Sequence, residues 1–421
     1  MKKIIVQKFG GTSVADTQKM INVAKNIIRE KHSGNKVVVV VSAMGHSTDA
    51  LVKLANEISS SPSAREMDML LSTGEQVSIA LLAMAVQSLG EKAISMNASQ
   101  IGIITEKIHS KARILDIKTE KLMKHLDDGE IVIVAGFQGI TPDGEITTLG
   151  RGGSDTSAVA IAAALNADRC DIYTDVEGVY TTDPRIVPNA ARVKTISYDE
   201  MLEMARLGAN VLHPRAVETA KQANVPLRVR STFKIENLGT LIIGVEDMEV
   251  CRPVTGVAAD LSQYRIVLCD VPDRPGNAAR LFKLLADNAI SVDMIIQSYA
   301  RQSTNTNDIA FTVDKDDINK TLEILETAKK ELGTGNVLVD EDIAKISIVG
   351  AGMIDRPGVA ADMFNALAAN NINLKMISTS EIKISCLVEK ENANKAITAL
   401  CEAFDLTTDE IAEVKGDLPN L

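Results

Sequence analysis

A chain of 421 residues is too long for one ordinary domain. Its 45 Lys and Arg against 56 Asp and Glu leave a formal net charge of -11, which excludes a broad basic face for nucleic acid or an anionic membrane. An apolar fraction of 45% excludes a disordered chain, and 3% aromatic content without Trp leaves little for base-stacking platforms.

In chain order, Ile4 to Phe9 reads as a short buried strand, followed by a Gly-Gly turn and a helix from about Asp16 to Lys31. The β-branched run Val37 to Val41 is too dense for a half-exposed strand and suits a sheet covered on both faces. Helical patterns cover Asp49 to Ser59 and Ala64 to Ser88, Ile131 to Ala135 is a strand, and a strong helix spans about Ser154 to Leu165 with Ser154 or Asp155 as its expected N-cap. Asp171 to Thr174 and Pro226 to Arg230 are further strands. Strands alternating with helices predict an α/β domain with a mainly parallel sheet.

After about Val245 the texture changes and a repeat appears at an offset of 82 residues: Asp273-Arg274-Pro275-Gly276 recurs as Asp355-Arg356-Pro357-Gly358, with Ile290 and Met294 matched by Ile372 and Met376. Each copy reads strand, turn, helix, strand, which predicts two small modules packed side by side. The expected division is an α/β domain over 1–245, a linker or strand contributing to the C-terminal region over 246–263, one module over 264–340 and a second over 341–421.

Met1-Lys2-Lys3 precedes too few apolar residues for a signal peptide, and no uninterrupted apolar run approaches the roughly 20 residues that span a bilayer. Cys170, Cys251, Cys269, Cys386 and Cys401 form no CxxC pair and read as core residues in a reducing compartment. The expectation is a soluble cytoplasmic protein.

Three segments carry chemistry. Lys8-Phe9-Gly10-Gly11-Thr12-Ser13 ends the first strand, where glycine amides and a lysine suit phosphate oxygens, although the Walker A spacing is absent. Thr147 to Ser157 holds three glycines, Arg151 and a helix start, a combination suited to a carboxylate or phosphate. Tyr173 to Arg185 follows a strand end, the ligand-facing edge of an open parallel sheet, and is dense in Asp, Thr and Tyr. Ile348-Val349-Gly350-Ala351-Gly352 only mimics a dinucleotide fingerprint, and His213-Pro214 reads as a helix boundary.

KFGGTSV at 8–14, VSAMG at 41–45, STGE at 72–75, GRGGSDTSA at 150–158 and TDVEGVYTTDPRIV at 174–187 together resemble the aspartokinase family, in its order and spacing, and the two Pro-Gly repeats resemble its paired ACT modules. The resemblance implies a three-layer αβα amino acid kinase fold followed by two ferredoxin-like ACT modules. It implies Mg-ATP-dependent phosphorylation of the β-carboxylate of L-aspartate, the entry to lysine, threonine and methionine. Lys8 and Asp155 would be catalytic. Thr48, Glu75, Arg151, Gly152, Gly153 and Ser154 would bind aspartate, and Lys8, Phe9, Gly10, Gly11, Thr174, Asp175, Tyr180, Arg185, Asn210 and Val211 would bind ATP, with Mg2+ carried by the nucleotide rather than by protein side chains. Lysine, threonine or both would inhibit by binding where Asp273, Ala278, Asp293 and Gln297 of one module meet Val359, Ala360, Asn373, Leu374 and Ser380 of another. The family's ACT modules pair between chains, implying a homo-oligomer, and Met248 lies where some relatives start a shorter regulatory subunit. The competing readings are another amino acid kinase, acting on acetylglutamate, glutamate or uridylate, and a non-catalytic amino acid sensor.

Overall fold

The computed structural model describes residues 2–208, 211–250, 252–354, 356–408 and 412–414. The chain divides into two compact units, one built from residues up to Tyr180 with Ala191–Arg252 and the C-terminal end, the other from Thr181–Ala190 and Pro253–Thr408.

The first unit opens with β1 (Ile4–Phe9), α1 (Thr17–His32), β2 (Lys36–Val41), α2 (Ser47–Ile58) and α3 (Ala64–Ser88). Next come β3 (Ala93–Met96), the short α4 (Ala98–Ile101), β4 (Ile103–Thr105), β5 (Ile114–Ile117), α5 (Glu120–Asp127), β6 (Ile131–Ala135), β7 (Gln138–Ile140) and β8 (Ile146–Thr148). It continues with α6 (Gly153–Ala164), β9 (Arg169–Thr174), β10 (Thr195–Ser197), α7 (Tyr198–Arg206), α8 (Pro214–Ala223), β11 (Leu227–Ser231), β12 (Thr240–Ile243) and β13 (Met248–Val250). Eight strands form one sheet in the order β10-β12-β11-β9-β1-β2-β6-β3, parallel apart from the β11–β12 pair. β5-β4-β7-β8 form a smaller sheet.

β2 is buried from Val37 to Val41, as its β-branched run requires of a strand covered on both faces. Phe9, Val37, Val39 and Val41 face a core shared with Val23, Ala24 and Ile27 of α1 and Leu82 and Val86 of α3. The small residues of α6 let it lie close over β1, β2 and β9 on the sheet. Among the described residues α3 alone is long and apolar enough to cross a membrane, by length and composition; its buried Asp68, Ser72 and Glu75 face the protein interior.

The second unit holds β14 (Gly256–Asp260), β15 (Gln263–Pro272), α9 (Asn277–Asp287), β16 (Val292–Gln297), β17 (Thr306–Asp314), α10 (Ile318–Leu332), β18 (Val337–Asp340), β19 (Ile343–Val349), α11 (Val359–Ala369), β20 (Met376–Thr379), β21 (Lys383–Glu389) and α12 (Ala393–Ala403). One sheet runs β16-β17-β15-β18 and the other β14-β19-β21-β20. The fourth strand of the second sheet therefore comes from before the first module, which is inserted between β14 and β19. The strand β22 (Ala412–Val414) pairs antiparallel with β13, whereas the expected division left residues 412–414 in the second module. Residues 181–190, expected in the catalytic domain, group with the second unit, where the Val257 amide donates to the Thr181 carbonyl (2.7 Å) and the Thr181 hydroxyl to the Leu406 carbonyl (2.7 Å).

One buried charge cluster ties the main sheet together across neighbouring strands. Asp171 of β9 is fully buried and accepts from Nε of Arg169 (2.8 Å) and Nε of Arg228 on β11 (2.9 Å). Burial pushes its carboxyl up, but the Arg228 and Arg169 guanidiniums outweigh that and hold it below the usual carboxylate range. Removing the carboxylate strands two buried guanidiniums. Asp171→Ala is expected to lower the unfolding free energy of this unit by about 3–5 kcal/mol in urea titration, and an unchanged midpoint would contradict the role given to the cluster.

Candidate functional site

The parallel strands deliver their following loops to one edge of the sheet. Phe9 and Val41 are register partners, as are Val41 and Ala135, and Phe9 and Tyr173, so the turns after β1, β2, β6 and β9 emerge together. Side chains alternate along β1, so Phe9 enters the α1 core while Lys8 points to the other face. There Lys8 Nζ lies 2.7 Å from Asp155 Oδ1, each side chain 12% exposed. The contact is an ion pair without hydrogen-bond alignment, and Asp155 Oδ1 has no hydrogen-bond partner among the described residues.

Gly10 and Gly11 follow directly. A Cβ on Gly11 would stand 2.8 Å from the Ala43 carbonyl, and the Gly45 amide donates to the Gly11 carbonyl at 3.0 Å, so glycine permits the loops after β1 and β2 to touch. The N-cap of α6 is not Ser154 or Asp155 but Gly152, in the left-handed region at φ 66 with no side-chain cap, and Gly153, Ser154 and Asp155 form the first turn. The reason is tertiary. A Cβ on Gly152 would come within 2.2 Å of the His213 ring. His213 is, as expected, a helix boundary: it caps α8, with Nδ1 accepting from the Arg215 amide at 3.3 Å. Arg215 Nη1 donates to the Leu149 carbonyl (3.1 Å), so the start of α8 clasps the glycine loop, a contact with no local signal in the sequence.

Glu75 of α3 reaches the same edge from below β2. It is 3% exposed; Oε1 accepts from the Ala43 amide (3.1 Å), while Oε2 is buried without a hydrogen-bond partner among the described residues. Burial raises its carboxyl to about 7, a rise that the Ala43 amide partly opposes. Thr48 sits half-buried in the first turn of α2, and Arg151 is exposed. Asp68, seven residues before Glu75 and so on the same face of α3, is fully buried and hydrogen-bonded to the loop before β5 and to β8. The sequence reading did not select it, although that spacing is a signal.

On the β9 side the Phe9 and Tyr173 rings stack at 4.5 Å. Thr174 ends β9, its hydroxyl donating to Asp175 (3.1 Å) and its carbonyl accepting from the Thr232 amide (2.9 Å). The Thr232 hydroxyl pairs with Ser13 at 2.6 Å, binding the β11 loop to the β1 loop. Tyr180 is half-buried and bridges to Arg192, and Val211 is half-buried in the turn before His213. Arg185 lies on the segment grouped with the second unit, where it pairs with Asp183 (2.6 Å). Asn210 lies outside the described residues.

Of the residues expected to hold an effector, Gly276 and Gly358 leave the α9 and α11 N-termini without side-chain caps beside Ala278 and beside Val359 and Ala360. Asp273 accepts from Asn307 (3.2 Å), Gln297 and Asn373 are exposed, and the Ser380 amide is tied to the Lys383 carbonyl (2.8 Å). Asp293, expected to contact an effector, is paired with Lys345 of the other sheet, a lysine 5% exposed. A lysine that deeply buried needs a counter-charge, and Asp293 and Asp260 supply it. Leu374 lines a cleft of about 350 Å³ with Arg265, Ile296, Ala310 and Met376, between the two sheets of this unit.

Residues 3–231 match the amino acid kinase family, and residues 265–333 and 346–404 each match the ACT domain. The fold and its strand-edge site thus define a phosphotransferase of the amino acid kinase class with two ACT domains. An aspartokinase of Bacillus sp. (strain MGA3) is 54% identical over 404 residues, covering 96% of this chain and 98% of that one. The crystal structure of E. coli aspartokinase III with aspartate and ADP (R-state) is 28% identical at a TM-score of 0.79, covering 96% and 100% of the two chains. The same enzyme with lysine and aspartate (T-state) is 28% identical at a TM-score of 0.73, covering 95% and 99%. The chain belongs to the aspartokinase family.

A raised carboxyl has a stability signature with a definite sign. The folded state favours the protonated form of Glu75, so its burial costs nothing below the ordinary value of 4.5, and the penalty grows until pH passes about 7. Glu75→Gln is therefore expected to be more stable than wild type at pH 8, by on the order of 3 kcal/mol, with the difference closing toward pH 4.5. Calorimetry across that range checks it; an equal or lower Tm at pH 8 would show that Glu75 is not held in this way.

Proposed function

We propose that this chain transfers the γ-phosphoryl group of ATP to the β-carboxylate of L-aspartate, giving 4-phospho-L-aspartate, the first step toward lysine, threonine and methionine. The observation that carries the reading is the Lys8–Asp155 pair at the strand edge where Glu75 also holds a buried, half-satisfied carboxylate. An oxygen of the substrate carboxylate attacks the γ-phosphorus in line, the bond to the β–γ bridging oxygen breaks, and ADP leaves. The attacking group is already ionised, so the enzyme needs no nucleophile or base, only charge and position.

Lys8 places its ammonium on the transferring oxygens, and Asp155 fixes the direction of that ammonium. Glu75 Oε2 receives the substrate ammonium, which supplies the missing partner and favours the ionised carboxylate. Arg151 forks the α-carboxylate, with Thr48, Gly152, Gly153 and Ser154 closing around the amino acid. Phe9, Gly10, Gly11, Thr174, Asp175, Tyr180, Arg185, Asn210 and Val211 take the ATP side. Mg2+ would arrive on the ATP phosphates and neutralise their charge there, while Asp155 Oδ1 stays with Lys8.

A free α-ammonium suits the half-paired Glu75, whereas an N-acetylated amino acid would leave it unpaired. This favours aspartate over acetylglutamate, and the intact charged set disfavours a pure sensor. Lysine, threonine or both are proposed to inhibit through the ACT domains, as a family relative crystallised with lysine suggests. The chain would work as a homo-oligomer through ACT pairing, with a shorter subunit from Met248 a further form. A cytoplasmic location is supported by Cys170, Cys386 and Cys401, all buried free thiols.

Hydroxylamine trapping of the acyl phosphate, with aspartate, glutamate and N-acetylglutamate in parallel, tests the substrate. Hydroxamate from aspartate at least about 10²-fold faster than from the others is expected, and product only from glutamate or N-acetylglutamate would sink the reading. Adding lysine, threonine and both to the same assay tests the regulation, which no inhibition by any mixture would remove.

A further inference from the structure

We propose that Asp68 is a positioning residue that holds the Gly150–Arg151 loop in the form that receives the amino acid substrate. The inference rests on the assignment of Arg151 to the substrate carboxylate made above. Asp68 is fully buried, and its two oxygens accept from a hydroxyl, a backbone amide and an imidazole. Oδ1 accepts from the Thr148 hydroxyl (2.6 Å) and the Ser110 amide (3.1 Å); Oδ2 accepts from His109 Nδ1 (2.8 Å) and the same amide (3.0 Å).

These partners lead to the substrate loop. Ser110 is a non-glycine residue at φ 67, a left-handed conformation that costs energy unless its surroundings hold it, and the Asp68 carboxylate grips its amide. The Ser110 carbonyl then stands 3.0 Å from the place a Cβ would take on Gly150, itself at φ 78, so the 110 turn forms the wall against which the glycine loop bends. Two residues on, the Ala112 amide donates to the Thr148 carbonyl (3.0 Å), and Thr148 is the last residue of β8, three before Arg151. The loop is thus held from α3 through Thr148 and through Ser110, and from α8 through Arg215. Arg151 itself is exposed, and its backbone follows directly from Gly150, so its place depends on what holds Gly150. Because Asp68 and Glu75 share one face of α3, a single rigid helix sets both ends of the amino acid site: Glu75 for the ammonium, and Asp68, through the loop, for the carboxylate.

A residue that merely stabilised the fold would change both substrates alike. Asp68→Asn keeps the size but presents an amide to the donors. It is expected to raise the aspartate KM by at least about 10-fold while ATP KM stays within about 2-fold. Placed in an Arg151→Ala background it should add no more than about 2-fold, since the loop then has no guanidinium left to position. Unchanged aspartate KM, equal changes for both substrates, or full additivity with Arg151→Ala would each overturn the proposal. If Asp68→Asn does not fold, Thr148→Val removes one donor alone and should raise the aspartate KM by about 3-fold with ATP KM unaltered; no rise there would equally overturn it. Normal aspartate KM in the Arg151→Ala enzyme overturns the Arg151 assignment and this proposal with it. Failure of the substrate reading itself would appear separately, as wild-type enzyme that forms no hydroxamate from aspartate.

Discussion

Phosphoryl transfer to a carboxylate brings two anions together, and the ion pair at the strand edge is the feature proposed to answer that repulsion. One lysine on the central strand β1 is held 2.7 Å from one aspartate on the first turn of α6, with both side chains 12% exposed. Everything nearby serves that geometry. The β-branched core of β1 and β2 fixes the strand from which Lys8 projects, and the small residues of α6 let Asp155 approach. Gly11 and Gly152 remove the side chains that would keep the neighbouring loops apart. A charge already paired and oriented before ATP arrives needs little reorganisation during transfer, which is where electrostatic catalysis gains most.

Three buried carboxylates in the same unit show how environment divides labour. Asp171 is flanked by two guanidiniums and is held ionised as a structural tie. Asp68 has a hydroxyl, an amide and an imidazole on its two oxygens and anchors a loop. Glu75 has a single amide and an unpartnered oxygen, and burial raises it to about 7. Only the last is left short of partners, and it lies where the amino acid is proposed to bind. Perturbation by burial with an unmet hydrogen-bonding need marks a ligand site, whereas a fully paired buried charge marks architecture.

Much of this was legible because it is local. The Val37–Val41 run declared a central strand, the glycines after Phe9 declared a tight turn, and the 82-residue offset declared two modules. What escaped was set by distant partners. Gly152 rather than Ser154 caps α6 because the His213 ring, 61 residues away, occupies the space of a side chain there. Asp68 gave no motif because its donors lie at 109, 110 and 148. β14 completes the second ACT sheet from the far side of the first module, a pairing that sequence order conceals. The Asp293 pair is equally hidden, because Lys345 sits 52 residues later on another sheet.

That last pair gives the regulatory unit its own constraint. Any ammonium that sought Asp293 would have to compete with Lys345, which is 5% exposed, close to where Met294, Ile343, Met376 and Leu387 pack. The central claim remains the one at the strand edge, that Lys8 acts on the transferring group rather than on ground-state binding. Single-turnover phosphoryl transfer in Lys8→Met, with ATP and aspartate affinities measured by calorimetry on the same protein, tests it most directly. The account predicts a transfer rate at least about 10²-fold lower, with aspartate affinity nearly unchanged and any loss of ATP affinity much smaller than the loss of rate; near-normal transfer, or a loss confined to binding, would contradict it.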